Sequence, residues 1–228
     1  MKTTIRISAL AGKNRFSLLL GLLLCLVFVF PVVGGILHEK VLVDVYIIFI
    51  FLVGVYSISP RRHFAYFGLF LALPKFIATV ISYKAHVPAM VLVGDVFGVL
   101  CLLFIGYKIL DYVFKQHKIT GDIISGIVVI YLLLAYSWAL IFQSIEIVQP
   151  GSFYIPESYQ QDRFSFLYFS LITITTIGYG DIIPVSNLAK ACAVLNGLIG
   201  QIYLVVVVAT LVGMRISQAR PSDKKQQN

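Results

Sequence analysis

Charge is scarce in this sequence. Asp, Glu, Lys and Arg make up 12% of the 228 residues, while 59% are hydrophobic and the mean hydropathy is +0.93. A water-soluble domain carries roughly a quarter charged residues, so a chain this apolar must place most of its surface in lipid. Cysteine is rare as well: Cys25, Cys101 and Cys192 each fall inside an apolar run, and no two have metal-ligand spacing. A disulfide framework and a zinc site are thereby set aside, and the three read as small buried hydrophobes. His38, His63, His86 and His117 sit in loops or linkers, too far apart in sequence to share a metal. No run carries a His/Glu/Asp cluster or a Ser/Lys pair, so the reading is a non-enzyme with no cofactor and no evident small-molecule substrate. The net charge of +8 raises the question of nucleic acid, but in an apolar chain the placement of charges matters more than their sum. Nucleic acid is not the expected partner; membrane lipid is.

What the sequence does have is long apolar runs. A helix needs about 20 such residues to cross the hydrocarbon core. Six runs qualify as spans, at 16–37, 41–58, 64–83, 88–109, 121–145 and 188–215. A seventh, at 164–177, holds only 14 residues and runs directly into Gly178-Tyr179-Gly180. It is too short to span and reads as a re-entrant helix. The expected fold is an all-α membrane protein with six transmembrane helices, one re-entrant pore helix and a loop after it.

Basic residues set the orientation. With the N-terminus inside, the inner segments hold thirteen: Lys2, Arg6, Lys13, Arg15, Arg61, Arg62, Lys108, Lys115, Lys118, Arg215, Arg220, Lys224 and Lys225. The outer segments hold four: Lys40, Lys84, Arg163 and Lys190. That positive-inside bias predicts two cytoplasmic termini, a short helix entering from outside, and a place in the plasma (cell inner) membrane. A cleaved signal peptide at 16–37 is the alternative for the first run. The run exceeds a usual signal core, and no Ala-x-Ala site follows it.

Residues 175–181 read Thr-Thr-Ile-Gly-Tyr-Gly-Asp. A dehydrated cation needs backbone carbonyls in place of its water shell. A strand whose successive carbonyls face one axis must alternate between right- and left-handed backbone, and glycine enters the left-handed region without penalty. A plain turn between two spans is the competing reading of Gly-Tyr-Gly. The preceding short helix, the following Asp181 and Pro184, and the two flanking spans favour a filter. Over 121–215 the chain resembles the potassium channel family, whose filter reads Thr-Val-Gly-Tyr-Gly.

That resemblance implies a selectivity filter at Thr176, Ile177, Gly178, Tyr179 and Gly180, with K+ as the permeant ion held at Thr176, Ile177, Gly178 and Tyr179. It implies support from Thr175, Asp181, Tyr168 and Phe169, and a homotetramer, since one chain supplies one strand of four. It also divides the chain into an N-terminus (1–15), a peripheral four-helix region (16–110), a linker helix (111–120), a pore domain (121–215) and a tail (216–228). The expected function is passive, potassium-selective conduction. The alternatives are a weakly selective cation channel or a pore subunit regulated by a further partner. Two departures stand out: Tyr168-Phe169 stands where a tryptophan pair often sits, and Ile172 where some bacterial members have glutamate. Filter stability should then rest on packing and on Asp181.

The other regions carry fewer signals. The run 88–109 has no arginine, so it occupies a voltage sensor's position without its chemistry. Lys75 and Asp95 lie each about 10 Å below the outer end of adjacent antiparallel runs, and an ion pair is the expectation. Residues 108–119 suit an amphipathic helix on the inner membrane surface, and Thr120 suits the cap of the next helix. The loop 146–162 reads as an acidic turret. Gly200 is placed as a hinge of the last span, with Val205–Ala209 below it as an apolar gate, while Gly197 and Gly213 are assigned to helix packing.

Overall fold

In chain order, the computed structural model forms α1 (Arg15–Phe28), α2 (Arg62–Ala85), α3 (Pro88–Phe114), α4 (Gly121–Val148), β1 (Phe153–Tyr154), α5 (Ser165–Ile174), β2 (Ile183–Pro184) and α6 (Asn187–Ala219). It describes residues 15–28, 49–50, 52–54, 62–85, 87–116, 119–157 and 164–219. Most of the expected second span lies outside these residues, as do Lys40, Arg163 and the end of the tail. Among the described residues, three helices are long and apolar enough to cross a membrane: Pro88–Phe114, Gly121–Val148 and Asn187–Gly213.

Local chemistry sets the helix ends. Pro88 sits in the first turn of α3, where its missing N–H costs nothing. Thr120 caps α4, its hydroxyl accepting from the Ile123 amide at 3.4 Å. The linker helix expected over 111–120 is formed differently. Residues through Phe114 continue α3, Lys115 is its C-cap, and Thr120 already belongs to the start of α4. The two long helices therefore form a tight hairpin.

One core is shared by α1, α3 and α4. Phe16, Leu19, Leu23 and Leu26 recur at helical spacing on one face of α1 and are buried. They join Cys101, Leu102, Ile105 and Ile109 of α3 and Ile123, Ile127, Ile130 and Leu133 of α4. Gly126 permits the crossing: a Cβ there would stand 3.2 Å from both Phe16 and Ile109. The start of α1 is held by Asp122, whose Oδ1 accepts from the amides of Phe16 and Ser17 at 3.0 and 3.1 Å. Of the three thiols, Cys101 is fully buried, whereas Cys25 and Cys192 are only half-buried.

The expected ion pair is formed. Lys75 Nζ on α2 lies 2.7 Å from Asp95 Oδ1 on α3, and the carboxylate is buried. The lysine stem lies beside two glycines: Cβ atoms at Gly94 and Gly98 would stand 3.4 and 3.5 Å from its Cδ. Ser144 of α4 donates weakly to the other carboxylate oxygen, at 3.4 Å.

A second, outer cluster packs Phe142, Ile145, Phe153, Phe169, Ile182 and Ala189. Its frame includes a small ribbon, absent from the all-helical expectation, in which Phe153 pairs with Pro184 and Tyr154 with Ile183. Glu146 orders the turn before it, its carboxylate oxygens accepting from the Gly151 and Phe153 amides at 2.7 and 3.0 Å.

Candidate functional site

The short helix α5 ends at Ile174, and a helix of this kind leaves its last four carbonyls without intrahelical partners. Here each finds one. The Leu171 carbonyl accepts from the Thr175 amide at 3.0 Å and the Thr173 carbonyl from the Thr176 amide at 3.0 Å. The Ile172 carbonyl accepts from both the Ile177 and Gly178 amides, at 2.8 and 3.0 Å. The fourth, on Ile174, accepts from the hydroxyl of Tyr131 on α4 at 2.9 Å. The chain after α5 is thus folded back onto the helix end that precedes it.

From there the backbone alternates. Positive φ falls on Thr176 (61°), Gly178 (55°) and Gly180 (79°), every second residue. Glycine takes this conformation freely, whereas threonine is strained in it. Thr176 is the described residue other than glycine that adopts it. All six residues from Thr175 to Gly180 are exposed in the single chain, with Tyr179 at 73% and Ile177 at 54%.

Thr175, Tyr168, Asp181 and Phe169 each make a defined contact. Thr175 Oγ1 donates back to the Leu171 carbonyl at 2.6 Å. Tyr168 donates its hydroxyl to Asp181 Oδ2 at 2.7 Å, and Asp181 Oδ1 accepts from the Ile182 amide at 3.1 Å. This bond ties α5 to the segment beyond Gly180. Phe169 is buried between Phe142 and Phe153, with ring centroids 5.0 and 5.5 Å away. Phe166 meets the same Phe153 ring at 5.3 Å. These aromatics brace α5 against α4 and the ribbon.

The expected gate residues lie elsewhere on α6. Val205 is 69% exposed, and Ala209 is exposed too. The helix is continuous through Gly200, with no break in the backbone there. Close approach explains this glycine instead: a Cβ would stand 2.6 Å from the Ile174 carbonyl oxygen. In the single chain Gly197 makes only an ordinary contact and Gly213 has open space.

Three further residues belong to the frame and were missed in the sequence. Asn196 on α6, fully buried, donates to the Ser170 carbonyl and Oγ at 3.2 and 3.3 Å. Ser170 donates in turn to the Ala135 carbonyl at 2.6 Å, so one polar chain links α6, α5 and α4. A lone asparagine in an apolar span is a visible signal. Tyr131 gave none, because its partner is 43 residues away.

Comparison with known proteins agrees with this layout. Residues 126–216, from the second turn of α4 to near the end of α6, match a family described as ion channel. The chain is similar to the calcium-gated potassium channel TvoK of Thermoplasma volcanium, at 36% identity over 73 residues. The match covers 30% of this chain and spans only 21% of that relative's length. No solved structure matches the chain. The short helix and the folded-back strand lie inside the segment that matches the ion-channel family, and the chain is similar to a potassium channel.

Proposed function

We propose that the chain is one subunit of a homotetrameric, potassium-selective channel whose filter is Thr176-Ile177-Gly178-Tyr179-Gly180. The observation that carries the reading is the alternation of positive φ at 176, 178 and 180 directly after the end of α5. A strand in which every second residue is left-handed turns successive carbonyls toward one side, and four such strands ring an ion. Thr176, Ile177, Gly178 and Tyr179 supply the carbonyls, and the Thr176 hydroxyl adds the innermost ligand. The exposure of the whole strand in a single chain supports the need for three more copies.

The surrounding layout is the finer part of this reading. Six spans cross the membrane with both termini in the cytoplasm, α5 enters from outside, and the apolar residues Val205 to Ala209 narrow the inner pore. The membrane is the plasma (cell inner) membrane, and K+ is the permeant ion. The calcium gating named for the relative is not carried over.

Purified protein in liposomes tests the proposal. Under a K+ gradient, Tl+ entry or K+ release should exceed Na+ flux by at least about tenfold. Equal K+ and Na+ flux would replace the proposal with a weakly selective cation channel. No flux from a verified tetramer would remove the passive channel altogether.

A further inference from the structure

The carbonyl of Ile174 is where three helices meet. It ends α5, immediately before the strand 175–180, so its position sets where that strand begins. Unlike the other three terminal carbonyls, it takes its hydrogen bond from outside the pore loop, from Tyr131 of α4. On its other side stands α6, so close at Gly200 that no side chain fits between. Three residues along α6, Tyr203 lies over the Tyr131 ring, with centroids 5.7 Å apart and planes 30° apart. Tyr203 donates its hydroxyl to the Ile127 carbonyl at 2.6 Å, one turn before Tyr131 on α4. The Tyr131 ring is thus held from below, and its hydroxyl is aimed at one acceptor.

We infer that Tyr131 is a positioning residue for the filter: its hydroxyl fixes the inner end of the strand by holding the Ile174 carbonyl against α4. This rests on the filter reading of 176–180. The physical reason is an accounting of partners. If the hydroxyl is removed, the Ile174 carbonyl loses the Tyr131 donor in an apolar setting, where an unpaired backbone acceptor is costly. The nearest relief is for residues 174–176 to turn toward the pore and its water. That movement would alter the spacing of the innermost ion site, where Thr176 is already held at φ 61°. Tyr203 differs chemically. The carbonyl it meets lies inside α4, where the Tyr131 amide one turn on is its ordinary helical donor. Loss of its hydroxyl therefore strands no group at the filter.

The test compares reversal potentials under bi-ionic K+/Na+ conditions for wild type, Tyr131→Phe, Tyr203→Phe and a chain carrying para-aminophenylalanine at 131. The last keeps a donor where phenylalanine has none. The expected result is a three- to tenfold fall in the K+/Na+ permeability ratio for Tyr131→Phe, the size of one lost hydrogen bond (about tenfold per 1.4 kcal/mol). The amino variant should recover most of it, and Tyr203→Phe should leave the ratio within about twofold of wild type. An unchanged ratio in an assembled Tyr131→Phe tetramer would overturn the inference. So would equal losses in the two phenylalanine variants, or failure of Tyr131→Phe to assemble, since either gives the hydroxyl a general structural role. A wild type that does not select K+ would instead sink the filter reading itself.

Discussion

At the scale of single residues, backbone conformation was the most legible feature and side-chain pairing the least. Gly178 and Gly180 announce left-handed backbone by having no side chain. Thr176 does not, yet it shares their conformation, because the end of α5 captures the Thr176 amide and the next two amides from a fixed position. Gly200 shows how composition misleads. Glycine within a helix costs up to about 1 kcal/mol against alanine, and a hinge was one reason to accept that cost. The structure supplies another, because the Ile174 carbonyl occupies the space of a Cβ. Gly200→Ala should therefore act by overpacking, at a cost of about 1–3 kcal/mol, and push residues 174–175 away from α6. The expected outcome is a lower K+/Na+ permeability ratio together with a lower tetramer melting temperature. Single-channel recording checks it. Reduced opening with an unchanged ratio would restore the hinge.

At the scale of elements, the apolar runs 88–109, 121–145 and 188–215 form helices long enough to cross a membrane, and helix partnership was legible only where charge betrayed it. Lys75 and Asp95 could be matched across α2 and α3 because each is a lone charge at similar depth in an apolar run. Nothing in the sequence showed Ser144 joining from α4, nor that Gly94 and Gly98 let α3 approach Ala78 and Leu140 closely. The two-residue ribbon and the role of Glu146 were equally hidden, since both depend on how the loop returns to the segment after Gly180. The ion pair makes a definite energetic claim. Removing one partner from a buried pair leaves an uncompensated charge, at about 3–5 kcal/mol, whereas replacing both with apolar residues of similar size is often near neutral. Lys75→Met and Asp95→Leu should each lower tetramer stability strongly, and the double variant should be more stable than either. Thermal unfolding in detergent, arranged as a double-mutant cycle, measures the coupling. Simple additivity would show that the pair contributes no mutual stabilisation.

At the scale of the whole molecule, two facts reach beyond any one helix. The first is that α3 and α4 are neighbours in the same chain, sharing the core that α1 completes. The six residues from 115 to 120 can extend no more than about 20 Å. That limit was present in the sequence, but the expected linker helix concealed it. The second is that α3 carries almost no charge that a membrane field could move. Its ionisable residues are Asp95, Lys108, Tyr107, Asp111 and Tyr112, with Cys101 a buried thiol. Asp95 is neutralised by Lys75 at 2.7 Å, and Asp111 by Lys115 at the same distance. Lys108 lies near the inner end of the helix, beside the rings of Phe104 and Tyr107. A unit charge moved through 100 mV contributes about 2.3 kcal/mol, and steep gating takes several such charges in every subunit. In the proposed tetramer, four copies of this helix offer far less. Conductance recorded in planar bilayers between −100 and +100 mV should therefore follow voltage with an effective charge below about one for the whole tetramer. Three or more effective charges would mean that α3 is not the element that moves, and that the field acts on groups outside it.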